Sequence, residues 1–245
     1  MIILGDIGNT ETKICFVKNS KIIKKILIPS LGKKIPILNK YFNKFNFSKL
    51  EKILFCSVVP TTFKELKNYF RKKTSIKCYE LKELNLRSIL KIDVNYKQVG
   101  SDRLANAISI SKKNKNFVIL DFGTATTFDV LIGNNYKGGI ISPGINLSLN
   151  TLSNKASLIP KINLKRMSKV IGKDTKSAVR SGFFWGYAGL IDNIINLIKK
   201  ETKKSFDVVI TGGFSKLFKN SIKTKTKQDF DITINGLIKA TKLIK

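Results

Sequence analysis

Asp6-Ile-Gly-Asn-Thr-Glu-Thr12 and Asp121-Phe-Gly-Thr-Ala-Thr-Thr127 are the segments of this chain best suited to chemistry, and they echo each other. Aspartate, glycine and the final threonine recur at the same offsets, and each copy follows a short apolar run, Ile2-Ile3-Leu4 or Val118-Ile119-Leu120. That pattern reads as a buried strand ending in a tight turn whose aspartate and backbone amides face outward. Such a turn can approach a phosphate closely, because glycine carries no Cβ and the hydroxyl side chains add donors. A single Asp-x-Gly turn is an ordinary hairpin signal. Two in register, each richer in hydroxyls than a turn needs, point to two related lobes holding a nucleotide between them, and so to phosphoryl transfer.

The chain contains no histidine. A Ser-His-Asp triad, an H-E-x-x-H zinc site and a histidine base are therefore excluded, and a general base must be a carboxylate, lysine, tyrosine or cysteine. Cys15, Cys56 and Cys78 are odd in number and form no C-x-x-C pair, which argues against a disulfide framework or a zinc site and for a reducing, cytoplasmic setting. No apolar run is long enough to span a bilayer and no signal-peptide core precedes Asp6, so no membrane association is expected.

The formal charge of +30 invites a nucleic-acid reading. The excess is nearly all lysine, and Arg71, Arg87, Arg103, Arg166 and Arg180 are the only arginines, whereas base readout favours arginine. Runs such as Lys33-Lys34, Lys112-Lys113 and Lys199-Lys200 read as solvated faces, and no specific nucleic-acid partner is expected.

The elements that must position the two turns follow from periodicity. Strands are expected at 2–4, 14–17, 22–28, 53–59 and 75–79. Thr62-x-x-Glu65 reads as a capping box for a helix with Phe63, Leu66 and Phe70 on one face. Ser101-Asp102 could cap a helix running to about Lys113 with Leu104 and Ile108 inward. The polar tract 112–116 is the best boundary, giving lobes 1–115 and 116–245. The second lobe repeats the first, with strands at 117–120, 127–132 and 137–141, then a glycine and proline loop, Gly138-Gly-Ile-Ile-Ser-Pro-Gly144. A long helix follows Gly182 with Tyr187, Leu190, Ile191, Ile194 and Ile198 at helical spacing. A buried strand 207–210 runs into Thr211-Gly-Gly213, and a last helix carries Ile234, Leu237 and Ile238. Strands first and helices afterward, twice over, make an α/β chain of two duplicated lobes.

Asp6–Lys13, Gly100-Ser-Asp-Arg103, Asp121–Thr127 and Gly138–Gly144 occur in the order seen in type III pantothenate kinases, which the chain resembles over nearly its whole length. Ser57-Val-Val-Pro60, Ser181-Gly182 and Thr211-Gly-Gly213 add to the likeness. The resemblance implies the actin and sugar-kinase fold, two ribonuclease-H-like lobes flanking an ATP cleft. It also implies transfer of the ATP γ-phosphoryl group to the primary hydroxyl of pantothenate, the first step toward coenzyme A. Phosphoryl transfer is mostly positioning and charge neutralisation. By resemblance, Asp6 would hold Mg²⁺ through water, and Ile7, Gly8, Asn9, Thr10, Glu11, Thr12, Lys13 and Thr124 would line ATP. Asp102 would be the general base, and Gly100, Ser101, Arg103 and Thr175 would meet pantothenate. Asp121 would bind a monovalent cation, K⁺ or NH₄⁺. The Thr211-Gly-Gly213 turn suits the adenosine side, and Asp129 reads as structural.

Two features depart from the family. A longer, proline-containing stretch usually separates a substrate-facing tyrosine from the Gly-x-Asp-Arg motif, whereas Tyr96 is followed only by Lys97, Gln98 and Val99, which weakens Tyr96 as a substrate contact. Asp231–Gly236, which introduces the last helix, is a looser match. A homodimer is implied, with Phe183, Phe184 and Trp185 as interface or core. The alternatives are another kinase or phosphatase of the superfamily (sugar, acetate or polyphosphate) and a non-enzymatic transcriptional accessory factor. Gly100–Arg103 with the Gly138–Gly144 loop favours the pantothenate branch, and keeping Asp6, Asp102 and Asp121 favours an enzyme.

Overall fold

The computed structural model describes residues 1–30, 32 and 35–244, so the Lys33-Lys34 run lies outside the described residues. The described chain divides into two compact units. Unit 1 comprises Met1–Ser111, Asn134–Tyr136 and Asp231–Lys245, and unit 2 comprises Lys112–Gly133 and Lys137–Phe230.

In unit 1, β1 (Ile2–Ile7) pairs antiparallel with β2 (Glu11–Lys18), which turns into β3 (Lys21–Pro29). Asn19 and Ser20 both have positive φ, as a two-residue hairpin turn between right-twisted strands requires. After α1 (Ile35–Phe42), β4 (Lys52–Ser57) lies parallel to β1, with Asp6 opposite Cys56 and Ile7 opposite Ser57. Next come α2 (Pro60–Arg71), β5 (Cys78–Glu80), β6 (Lys91–Ile92) and α3 (Ser101–Ile110). The sheet order is β3-β2-β1-β4-β5, and β6 pairs with residues 135 and 136. Alternation sends Ile3, Ile7, Ile14, Phe16, Ile53 and Phe55 into one core with Leu38 and Phe42 of α1 and Leu66 and Phe70 of α2.

In unit 2, β7 (Asn116–Phe122), β8 (Ala125–Ile132) and β9 (Asn135–Pro143) form the meander. They are followed by α4 (Ile145–Lys155), α5 (Thr175–Thr202), β10 (Asp207–Gly212), α6 (Ser215–Phe218) and β11 (Thr226–Gln228). The order β9-β8-β7-β10-β11 repeats β3-β2-β1-β4-β5, including the parallel pairing of the fourth strand on the first. The duplication read from the two turns is thus a duplication of topology. Val118, Leu120, Phe128, Phe184, Ile191, Ile195 and Phe218 form this unit's core. Among the described residues, no helix is long and apolar enough to cross a membrane.

Several elements differ from expectation. α7 (Ile232–Ala240) belongs to unit 1 and packs on α3, β1 and β4, whereas the sequence division left it in the second lobe. Thr62 and Glu65 form no capping box. Pro60 opens α2, which fixes φ without losing a needed donor, and the Thr62 hydroxyl donates to the Ser30 carbonyl at 3.2 Å. Residues 138–143 continue β9 rather than forming a loop. The strand expected at 75–79 shrinks to β5. The helix expected after Gly182 begins seven residues earlier, at Thr175, because Asp174 and Ser177 cap it reciprocally.

Candidate active site

The β1–β2 turn is closed by the Gly8 amide, which donates to the Glu11 carbonyl at 3.0 Å and leaves Asn9, Thr10 and Glu11 exposed. Ile7 is core, and Thr12 is fully buried with its hydroxyl bonded to Ser30 Oγ at 2.9 Å. Thr12 therefore locks the hairpin instead of facing solvent. Asp6 sits at the mouth of the turn, across from Lys13 on β2, and the Cys56 thiol donates to its Oδ1 at 3.5 Å. Burial pushes the Asp6 carboxyl up to about 6, and the nearby Asp102 carboxylate adds to this. Lys13 and the Cys56 thiol pull the other way. Lys13 is therefore part of the field at Asp6.

α3 brings the second carboxylate. Gly100 is its N-cap in extended conformation, and a Cβ there would run into Asp102 Oδ1, so glycine makes room for the acid. Ser101 is buried. Its Oγ accepts from the Ser57 amide at 2.6 Å and bonds the Ser57 carbonyl at 3.0 Å, so this hydroxyl faces β4. Asp102 accepts from the Arg103 amide at 2.8 Å. Burial holds its carboxyl above the ordinary range, and that amide and the Arg103 guanidinium partly offset the rise. Asp6 and Asp102 are thus two acids of one unit, both with raised proton affinity, a pattern concentrated at functional sites. Tyr96 is engaged elsewhere: its hydroxyl donates to the Lys82 carbonyl at 3.1 Å, and the Lys82 ammonium stands 5.2 Å from its ring centroid. Burial, with the Glu80 charge adding, pushes the Tyr96 phenol up to about 12.

Unit 2 repeats the turn with one residue fewer. Gly123 N–H donates to the Ala125 carbonyl at 3.0 Å, and Asp121 lies opposite Thr127, where Asp6 lies opposite Lys13. The buried counterpart of Thr12 is therefore Thr126, not the Thr127 that the sequence offset suggests. Asp121 is also level with Thr211 on β10. At Gly212, φ is +83° and a Cβ would come within 2.6 Å of Asp121 Oδ1, so only glycine lets this turn press against the carboxylate. Thr124 is exposed at the turn tip, and its carbonyl leaves no room for a Cβ at Gly144. Thr175 is the exposed first residue of α5. The cap is Asp174, whose Oδ1 accepts from the Ser177 amide at 2.9 Å. Asp129 is fully buried on β8. Phe184 is core, stacked on Phe218 at 5.6 Å, whereas Phe183 and Trp185 are half-buried.

Sequence reasoning missed Cys56, Glu80 and Lys82. Cys56 was recoverable, since a parallel strand ending at Ser57 sets its penultimate residue beside Asp6. Glu80 and Lys82 carry no motif: Glu80 finds its partners in the Ser57 and Lys82 amides, and the Lys82 ammonium in the chain's return at 97 and 99.

The model of the type III pantothenate kinase family matches residues 2–197. A type III pantothenate kinase of Pelagibacter ubique (strain HTCC1062) is 65% identical over 251 residues, covering 100% of both chains. Two solved structures share the fold. One is a Baf family transcriptional activator from Campylobacter jejuni, with TM-score 0.66 and 21% identity over 98% of this chain and 97% of that one. The other is a 2-dehydro-3-deoxygalactonokinase protein from Sinorhizobium meliloti, with TM-score 0.62 and 10% identity over 100% and 99%. With the motif order, the duplicated topology and a full-length relative in agreement, the chain belongs to the type III pantothenate kinase family.

Proposed function

We propose that this pantothenate kinase uses Asp102 as its general base and Asp6 as its magnesium-side acid. The reaction, transfer of the ATP γ-phosphoryl group to pantothenate, follows from family membership. The observation that carries the assignment of roles is the pairing of Asp6 with Asp102, each held above the usual carboxylate range. A base whose proton affinity is raised toward the working pH accepts a hydroxyl proton more readily. Asp102 takes the proton of the primary hydroxyl, the oxygen attacks the γ-phosphorus, and ADP leaves. Arg103, next on α3, offers a guanidinium to the carboxylate of pantothenate or to a phosphate. Gly8, Asn9, Thr10 and Lys13 offer donors to the triphosphate; on unit 2, the exposed Thr124 is a candidate ATP contact and the exposed Thr175 a candidate pantothenate contact.

The residues fit Mg²⁺. This ion keeps several waters and is held through one or two carboxylates plus substrate phosphates, and a half-buried Asp6 crowded by Asp102 supplies such a ligand. When bound, Mg²⁺ neutralises charge developing on the phosphates. Asp121, packed against the Gly212 backbone, supports a K⁺ or NH₄⁺ site, for which a carboxylate with neighbouring carbonyls is suitable chemistry. A homodimer is supported by the family and by exposed Ile141, Leu147 and Leu197 on unit 2.

ADP release coupled to a reporter, with pantothenate, glucose and acetate supplied in turn, tests the function. Turnover with pantothenate alone is expected. Turnover with glucose or acetate and none with pantothenate would overturn the reading.

A further inference from the structure

Glu80 is a half-buried acid that the transfer does not use. It ends β5, and its Oε1 accepts from the Ser57 amide at 3.3 Å while Oε2 accepts from the Lys82 amide at 2.6 Å. The Ser101 hydroxyl donates to the Ser57 carbonyl at 3.0 Å. That hydroxyl in turn accepts from the same Ser57 amide at 2.6 Å, so Glu80 and Ser101 share one donor at the end of β4. The Lys82 ammonium grips the other side of the same chain entry. It donates to the carbonyls of Lys97 at 3.1 Å and Val99 at 3.0 Å, just before Gly100. The acid at 80 and the cation at 82 therefore clasp the segment 97–101 from which Asp102 projects.

We infer that Glu80 is a positioning residue: its carboxylate, anchored on the Ser57 and Lys82 amides, fixes Ser101 and thereby the direction of the Asp102 carboxyl. This rests on the reading of Asp102 as the base. The need for a carboxylate follows from donor counting. Two amide donors converge on Glu80, one on each oxygen, and a glutamine offers one acceptor oxygen and turns an amide donor toward the other. Small misplacement of a reacting group reduces the chemical step far more than it reduces nucleotide binding.

The test is steady-state kcat and KM for ATP in Glu80→Gln, Asp102→Asn and the double variant. Glu80→Gln is expected to lower kcat roughly tenfold with little change in KM. In the Asp102→Asn background it should change kcat by less than about twofold, because no base remains to be misplaced. Full kcat in Glu80→Gln, or the same loss in both backgrounds, overturns the inference and leaves the base assignment standing. Near wild-type turnover in Asp102→Asn alone overturns the base assignment, and the inference with it. Should Glu80→Gln not fold, Ser101→Ala carries the same test. It cuts the link but keeps the acid, and it must show the same kcat-selective, Asp102-dependent loss.

Discussion

At the scale of single residues, Asp6 joins function to stability in opposite senses. Its carboxyl binds a proton more tightly in the folded protein, near pH 6, than at its ordinary 3.8. The stabilisation this confers is complete below about pH 4 and is lost as pH rises through about 6. Asp6→Asn, neutral throughout, is therefore expected to melt roughly a few degrees higher than the parent at pH 8 without nucleotide. The gap should close by pH 4, and the same variant should use Mg²⁺-ATP poorly. Melting curves at the two pH values decide it, and an Asn variant less stable at both contradicts the burial argument. The motifs marked the acids that the structure brings near each other, Asp6 and Asp102. What their neighbours do was not legible. Thr12 and Ser101 look like ligand hydroxyls in a linear motif. Burial against Ser30 and Ser57 makes them struts, because the hydroxyls point along strand edges that no local pattern reveals.

At the scale of elements, the site is held by the crossing of α3 and α7. Thr233 Oγ1 donates to Asn106 Oδ1 at 2.8 Å, and Lys25 bridges Asp231, just before α7, at 2.6 Å. At the crossing, a Cβ on Gly236 would overlap the backbone of Ala105, so the helices touch main chain to main chain. Gly236→Ala should force them apart at a cost of about 1–3 kcal/mol, the usual scale of overpacking. Urea unfolding measures it, and an unchanged midpoint would mean the helices can slide without strain. The strands were legible from their apolar runs, because the central strands of both sheets are buried at consecutive positions, on both faces. Helix starts were less so. Pro60 outranked Thr62, and the Asp174–Ser177 box lay ahead of the apolar spacing that marked α5. The placement of α7 depends on a contact with α3 made across more than half the chain, which periodicity cannot convey.

At the scale of the whole molecule, the strand order is duplicated. Each unit presents one aspartate near the end of its first strand, and the two turns differ by a residue. Activity is expected to require K⁺ or NH₄⁺, and equal rates in sodium-only and potassium buffers would remove the cation from the account while leaving the kinase. Light scattering at micromolar concentration is expected to give twice the 27.5 kDa chain mass, and a single-chain mass would count against the dimer. The central claim is that Asp102 is the proton acceptor served by this architecture. Its most direct measurement compares turnover and ATP affinity in Asp102→Asn, a change that keeps the side chain's size. Turnover should fall roughly 10²–10⁴-fold, the usual contribution of a general base, with ATP still binding. A folded Asp102→Asn enzyme that phosphorylates pantothenate near the parent rate would contradict it.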